Sequence, residues 1–173
     1  HPAYLARFGV TGINGIREAM KKLGFADAAD AAEGASLMIS QYRALFAEQK
    51  EPGIMISSAC PVIVQFVRKH YPHLLGNLVQ SASMMQFHAS YLKKKYPGAE
   101  IVYVSPCISA MSELRDSGNE VDYVITLEEL AQWMKKEGIS ITEKEPEQIA
   151  YRSREIAIAD GLTDLLGAVK GIR

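Results

Sequence analysis

The stretch I-S-S-A-C-P-V-I-V-Q-F-V-R-K-H-Y-P, residues 56–72, contains the transition from strand to helix that decides the fold. Small and apolar residues run into Ala59-Cys60-Pro61, and an amphipathic pattern with helical spacing starts directly after them. Because proline is favoured at the first position of a helix, Pro61 marks where this helix begins. Cys60 is therefore predicted to lie at a junction between the end of a strand and the start of a helix.

The second of the chain's two cysteines, Cys107, lies in the same context. The run Ile101–Ser105 before it is rich in valine, isoleucine and tyrosine, and a helical pattern over Ile108–Leu114 follows it. In open α/β folds, ligands bind outside the carboxyl ends of the strands. A helix amino terminus also favours the thiolate, which is the form of cysteine that binds metals. Cys60 and Cys107 are therefore candidate ligands of a metal or an iron–sulfur cluster.

The residue pattern alone leaves other interpretations of the two cysteines open. Free cysteines are often buried and behave as small hydrophobic side chains. A disulfide is disfavoured because two cysteines do not form the framework of a secreted protein. A zinc site would need further ligands at a closer spacing, and an iron–sulfur cluster would need two more ligands from outside this chain.

Alternation of strand and helix patterns predicts the fold class. Four short runs rich in β-branched residues are predicted as strands: Ile54–Ser58, Ile101–Ser105, Val121–Thr126 and Glu155–Ala159. Helical spacing predicts helices over Ile13–Leu23, Ala28–Lys50, Pro61–Tyr71, Ala82–Tyr96, Ile108–Leu114, Leu127–Lys136 and Asp160–Val169. This order favours an α/β fold with a mostly parallel sheet flanked by helices.

Local signals refine these helices. Thr126 and Glu129 form a capping-box pattern at the start of Leu127–Lys136. Gly34 is expected to break the long helical pattern in which it lies. The polar segment Gly138–Ser153 is expected to be a linker within a single domain that spans residues 1–173.

Composition limits the classes of function. The formal net charge is -1, so the chain lacks the basic surface that nucleic acids and anionic membranes require. No apolar run reaches the roughly 18 residues that span a bilayer, and a cytoplasmic location is expected. The chain starts at His1 and ends within an apparent helix, so we expect it to be part of a longer protein.

Three motifs carry a resemblance to a known family. S-S-A-C-P at Ser57–Pro61 is similar to a T-S-C-C-P motif, and P-C-I-S-A-M-S-E at Pro106–Glu113 is similar to P-C-x-x-K-x-x-E. Between them, Y-P-H-L-L-G-N-L at residues 71–78 is similar to Y-P-E-L-L-P-N-L. In this order the motifs resemble the C-terminal domain of the large subunit of iron-only hydrogenases, from about Gly12 to the end of the chain.

The resemblance implies a two-lobed α/β domain with a 4Fe–4S cluster in a cleft. By position, Cys60 and Cys107 match two cluster ligands, and the other two belong to a later C-x-x-x-C motif that is absent from this sequence. Two cysteines cannot complete a cubane cluster, so these 173 residues by themselves are expected to hold none. A redox partner protein or a ferredoxin-type domain is the expected partner.

Four departures from the family's motifs concern its catalytic two-iron subsite. Ala59 replaces the cysteine that passes protons to the subsite, and Ala110 replaces a lysine that holds one of its ligands. Ser105 and Met84 stand where the family has a methionine and a glutamine. Glu113 is kept, although an exposed helix glutamate is an equally good interpretation. The two-iron subsite is therefore doubtful in this protein.

These features favour a non-catalytic iron–sulfur protein that transfers electrons or senses redox state or hydrogen. One alternative is a divergent hydrogenase that oxidises or evolves hydrogen. Another is a structural or partner-binding module that has lost the metal.

Overall fold

The structure is a computed structural model that describes residues 1–48, 53–116, 120–142, 152–158 and 160–167. These contain the helices α1 Tyr4–Phe8, α2 Asn14–Lys22, α3 Ala32–Glu48, α4 Pro61–His70, α5 Met84–Lys95, α6 Ser109–Asp116, α7 Leu127–Lys136 and α8 Gly161–Leu166. Two 3₁₀ turns lie at Pro72–Asn77 and Arg152–Ala157, and two strands lie at β1 Val102–Ser105 and β2 Tyr123–Thr126. In these ranges no helix is both long and apolar enough to cross a membrane.

The sheet is parallel, as predicted. β1 and β2 pair from Val102 opposite Tyr123 to Ser105 opposite Thr126, and α6 connects them. Successive strand residues point to opposite faces. Val104 and Ile125 pack on one cluster of buried side chains from α1, α2 and α7. Tyr103 and Val124 pack on another cluster from α5 and α6. The expected α/β class, with helices on both faces of a parallel sheet, is confirmed.

The prediction of a strand over Ile54–Ser58 is wrong. Only Ile56 forms a bridge there, to Leu78, through hydrogen bonds from the Ile56 N–H to the Asn77 carbonyl (2.8 Å) and from the Val79 N–H to the Ile56 carbonyl (2.9 Å). The segment opposite Ile56 begins directly after the turn Pro72–Asn77, and only Leu78 of that segment forms a bridge to Ile56.

The prediction of a strand over Glu155–Ala159 is also wrong for its described part, which belongs to the 3₁₀ turn Arg152–Ala157. Polar contacts to the start of α3 replace strand pairing. The Ser153 hydroxyl donates to the Ala32 carbonyl (2.7 Å), and Arg154 pairs with the buried Asp30 (2.7 Å). Ala159 lies outside the described residues, as do the helix ends predicted at Lys50 and Val169 and most of the linker Gly138–Ser153.

The predicted helix break at Gly34 is wrong, because α3 continues through this residue. The glycine is needed for packing between helices. A Cβ atom at residue 34 would lie 2.5 Å from the Cβ of His88 and 2.6 Å from the carbonyl oxygen of Met84, both on α5. Gly34 therefore allows the backbones of α3 and α5 to approach closely.

Two capping boxes fix helix starts. Thr126 Oγ1 accepts the Glu129 N–H (3.0 Å) and Glu129 accepts the Thr126 N–H (2.7 Å), which confirms the predicted box at α7. The box formed by Ser83 and Gln86 at the start of α5 was not predicted. Its serine lies five residues after Leu78, the bridge residue, and the box fixes where α5 begins.

The close approach of α3 and α5 predicts a large effect of Gly34→Ala on stability. The added methyl group must displace backbone atoms, and overpacking of this kind costs about 1–3 kcal/mol or more of unfolding free energy. Urea unfolding followed by circular dichroism measures this loss. The matched control is Gly76→Ala, where a Cβ would meet no atom within 4 Å, and a change within about 0.5 kcal/mol is expected. Equal effects of the two substitutions would contradict the packing role of Gly34.

Candidate metal centre

Cys60 lies where the sequence predicts it, immediately before a helix. It is the N-cap residue of α4, with extended backbone angles (φ -107°, ψ 115°), and Pro61 is the first helical residue. Its side chain is exposed and forms no disulfide. The thiol is therefore placed at the amino end of a ten-residue helix, where it can reach a ligand.

Cys107 is placed by a serine turn at the end of β1. The Ser105 hydroxyl donates to the Cys107 carbonyl (2.7 Å) and accepts the Cys107 N–H (3.2 Å). Ser105 is 2% exposed, so this turn is anchored inside the protein. The exposed Cys107 thiol lies 2.8 Å from the hydroxyl of Ser109, the first residue of α6.

The two cysteines line the same cleft, whose volume is about 400 Å³. The amino ends of α4 and α6 and the carboxyl end of β1 surround it, and mainly apolar side chains cover its walls. These include Ile63 of α4, Met85 of α5, and Ile156 and Leu162 from the C-terminal part of the chain. The expectation that both cysteines face one site agrees with this geometry, but only Cys107 follows a strand, because Cys60 follows a loop in which Ile56 alone forms a bridge.

The structure decides between some of the earlier interpretations of the cysteines. Both thiols are exposed, so they are not buried hydrophobic side chains, and both are free of disulfide bonds. In the described ranges, no group of three or more His, Cys, Asp or Glu side chains could hold a metal ion. In these ranges the cleft therefore presents two exposed thiols and no complete set of metal ligands.

Tyr42, which sequence patterns did not single out, holds the loop that leads to Cys60. Its side chain is fully buried in α3, and its hydroxyl accepts the Ser58 N–H (3.0 Å). The same hydroxyl contacts the hydroxyls of Ser57 (3.2 Å) and Ser58 (3.1 Å). The Ser57 hydroxyl also accepts the Ala59 N–H (3.2 Å), so the loop is fixed up to the residue before Cys60. A tyrosine in an apolar stripe gives no sequence signal for this role.

The four departures from the hydrogenase motifs all line the cleft that contains the cysteines. They are Ala59, Met84, Ser105 and Ala110. Ala110 and Met84 are buried, at 5% and 7% exposure, and Ser105 uses its hydroxyl to hold the Cys107 turn. None of the four side chains carries a group that titrates near neutral pH, so none can act as a general acid or base of the ordinary kind.

Glu113 is not the exposed helix residue that was one interpretation of it. It is half-buried on α6, and it is the only carboxylate among the described residues that line the cleft. Burial raises the pKa of Glu113 above its ordinary value of 4.5, and a hydrogen bond with Ser83 opposes part of this rise. Burial likewise raises the pKa of Tyr103, another lining residue, so its phenol is protonated at neutral pH.

Comparison with known proteins assigns the family. The model of the family "Iron only hydrogenase large subunit, C-terminal domain" matches residues 2–169. The chain belongs to this hydrogenase family. Iron hydrogenase 1 from Clostridium pasteurianum is 29% identical over 182 residues, which cover 95% of this chain and 31% of that protein.

Solved structures of FeFe-hydrogenases share the fold of this family member. HydA(ΔEFG), whose structure concerns stepwise assembly of the H-cluster, matches with a TM-score of 0.68 and 26% identity over 82% of this chain and 41% of that chain. A variant of HydA1 from Chlamydomonas reinhardtii matches with a TM-score of 0.68 and 26% identity, over 82% of this chain and 42% of that one. The chain thus spans about a third to two fifths of the length of these relatives.

The raised pKa of Glu113 predicts a pH-dependent effect of Glu113→Gln. A carboxyl whose pKa is higher in the folded than in the unfolded state stabilises the fold below pH 4.5, and this contribution is lost as pH rises through the folded pKa. The neutral glutamine has no such dependence. The unfolding free energy of the wild type, relative to Glu113→Gln, should therefore fall as pH rises above 4.5 and then level off. Urea unfolding at a series of pH values measures the difference, and a difference that rises with pH would contradict the buried carboxyl.

Proposed function

We propose that this chain is part of an iron–sulfur protein that keeps a 4Fe–4S cluster at Cys60 and Cys107 and has lost hydrogen turnover. Its role is electron transfer or the sensing of redox state or hydrogen. The observation that carries the proposal is the composition of one cleft. The two cysteines that match cluster ligands line it together with the four substituted positions Ala59, Met84, Ser105 and Ala110.

The side chains present fit two of the four ligand positions of a 4Fe–4S cluster. Both thiols are exposed to the cleft from helix amino ends, and thiolates are the usual ligands of iron–sulfur clusters. Apolar walls around a cluster restrict water and tune its potential. When bound, a 4Fe–4S cluster supplies one-electron transfer. The two other ligands are proposed to come from a part of the protein outside these residues, as the family's motif implies.

Loss of hydrogen turnover is supported by what the cleft lacks. Proton transfer by a positioned acid or base typically contributes about 10²–10⁴-fold to a rate, and the methyl group of Ala59 cannot provide it. Groups around a metal that orient its ligands typically matter by about 10–100-fold. Ala110, Ser105 and Met84 leave such contacts unmade, since only the serine is polar and its hydroxyl already bonds within its own turn.

A divergent hydrogenase remains the second candidate, and Glu113 favours it. This half-buried carboxyl lines the cleft, and its raised pKa brings it closer to the range in which a carboxyl can accept and release protons near neutrality. The cleft therefore keeps a carboxyl that is able to carry a proton. Measurement of hydrogen turnover distinguishes the two candidates, as described below.

Cluster binding is predicted to require both cysteines. Full-length protein purified without oxygen should contain a 4Fe–4S cluster, detected by iron and sulfide analysis and by electron paramagnetic resonance after reduction. Cys60→Ser and Cys107→Ser should each lose most of the signal, because a serine hydroxyl is a poor substitute for a thiolate ligand. Ser109→Ala, which alters a neighbour of Cys107 without removing a thiol, is the control and should keep the cluster. Retention of the cluster by both cysteine variants would contradict ligation by Cys60 and Cys107, and absence of iron from the wild type would favour the metal-free partner-binding module.

Hydrogen evolution is predicted to be very low in the full-length protein, even after maturation with a two-iron subsite. The assay uses reduced viologen as the electron donor and gas chromatography as the readout. The double variant Ala59→Cys plus Ala110→Lys restores a proton-transferring group and a cationic contact, so its rate should exceed that of the wild type by about 10²-fold or more. Iron content of both proteins is the control. A wild-type rate comparable to that of an ordinary iron-only hydrogenase would establish the divergent-enzyme alternative.

A further inference from the structure

The hydroxyl of Ser109 is in hydrogen-bond contact with the thiol of Cys107. The oxygen and the sulfur are 2.8 Å apart, and Ser109 is the first residue of α6. Both side chains line the cleft, so the contact lies within the site itself. Either atom could donate while the thiol is protonated. A cysteine that binds a metal is a thiolate without a hydrogen, so in that state only the hydroxyl can donate.

Three other serines of the described residues line the same cleft, and their hydroxyls are directed elsewhere. Ser57 and Ser83 accept backbone N–H groups at 3.2 Å and 3.3 Å, in the loop before α4 and in the capping box of α5. Ser105 donates its hydrogen to the carbonyl of Cys107 (2.7 Å). Ser109 is therefore the serine of this cleft whose hydroxyl is directed at a sulfur atom.

The two serines beside Cys107 act on different parts of it. Ser105 fixes the backbone of Cys107, since its hydroxyl bonds both the carbonyl and the N–H of that residue. Ser109 contacts the sulfur alone. The motif P-C-x-x-K-x-x-E leaves the position of Ser109 variable, so this contact belongs to the present chain and does not follow from the motif.

A donor to a ligand sulfur affects the two redox states of a cluster unequally. Reduction adds one electron, and part of the added negative charge resides on the cysteine sulfurs. Hydrogen bonds strengthen as the acceptor becomes more negative, so a donated hydrogen stabilises the reduced state more than the oxidised state. The apolar side chains of Ile63 and Met85 in the same cleft lower the local dielectric, which strengthens this effect. Hydrogen bonds to the sulfurs are among the features that set cluster potentials.

We propose that Ser109 is a positioning residue that raises the reduction potential of the cluster by donating a hydrogen bond to the Cys107 thiolate. The inference deepens the proposed function and rests on it, because it requires a cluster bound at Cys107. Its consequence is that a weaker reductant can supply the electron than would be needed without the hydroxyl.

The test uses full-length protein that is purified without oxygen and without the two-iron subsite. A mediated redox titration with dithionite, followed by electron paramagnetic resonance, measures the midpoint potential. In Ser109→Ala the ratio of reduced to oxidised cluster at a fixed potential should fall about three- to tenfold, because the reduced state loses its donor. A tenfold fall equals a midpoint that is lower by about 59 mV for a one-electron couple.

Two further variants isolate the effect of the hydroxyl. Ser109→Thr keeps the donor, so its ratio should stay within about twofold of the wild type. Ser112→Ala removes an exposed serine from the same helix, where it lines a different pocket, and should also stay within about twofold. Circular dichroism checks that each variant is folded.

The hydrogen bond also has a spectroscopic signature that a merely structural role would not change. After exchange into D₂O, electron–nuclear double resonance of the reduced cluster should detect the deuteron that Ser109 donates. This coupling should persist in Ser109→Thr and Ser112→Ala and be lost in Ser109→Ala.

The contrary outcomes separate this inference from the proposed function. Equal midpoints in Ser109→Ala and Ser112→Ala would overturn the inference alone, since the cluster would still be present. A shift of the same size in Ser109→Thr, or loss of the cluster in Ser109→Ala, would also overturn it, because the effect would not come from the donated hydrogen bond. Iron analysis is made on the same samples. Absence of iron from the wild type would defeat the proposed function and this inference together.

Discussion

The contact between α3 and α5 at Gly34 sets the geometry on which the cleft depends. The backbone of α3 approaches the Cβ of His88 and the carbonyl of Met84 so closely that a side chain at residue 34 has no room. Each helix then positions one part of the cleft. α3 carries Tyr42, whose hydroxyl holds the loop before Cys60, while α5 begins with a methionine pair in the cleft wall and leads to β1 and Cys107. A change in the distance between α3 and α5 would therefore shift the two cysteines relative to each other.

Polar contacts of Asp30 fix the C-terminal part of the chain against the start of α3. Asp30 is 3% exposed and accepts hydrogen bonds from the Tyr4 hydroxyl (2.9 Å) and the Ala32 N–H (2.9 Å). It also pairs with Arg154 at 2.7 Å, and the side chains of both residues are largely buried. A buried pair of this kind stabilises only when its other hydrogen bonds are satisfied, as they are for Asp30. The turn Arg152–Ala157 is fixed in this way, and its Ile156 completes the apolar wall of the cleft.

Patterns local in the sequence predicted much of this structure. Helical spacing, Pro61 and the capping box at Thr126 depend on neighbouring residues, so α4 and α7 could be placed closely, and both cysteines could be assigned to helix starts. The errors concern contacts between distant residues. Ile54–Ser58 has strand composition, but its hydrogen-bond partners include Tyr42, Asn77 and Val79, and none of them can be inferred from the segment itself. Gly34 likewise could not be read correctly, because a glycine that breaks a helix and a glycine that admits a second helix look alike in a sequence.

The side chains that line the cleft beside the two thiols are mostly apolar. Those that can titrate include the carboxyl of Glu113 and the phenol of Tyr103, whose pKa values burial raises, and the cleft is also lined by His1. Burial disfavours the charged form of a carboxyl or a phenol, so these two side chains add less charge around a ligand than they would in water. Cys60 lies where this wall meets α4, since it lines the cleft and is the N-cap residue of the helix. In the function proposed above, a cluster held there would lie beside Ala59, Met84 and Ala110, which carry no acid or base group, so electron transfer fits this wall better than turnover that consumes protons.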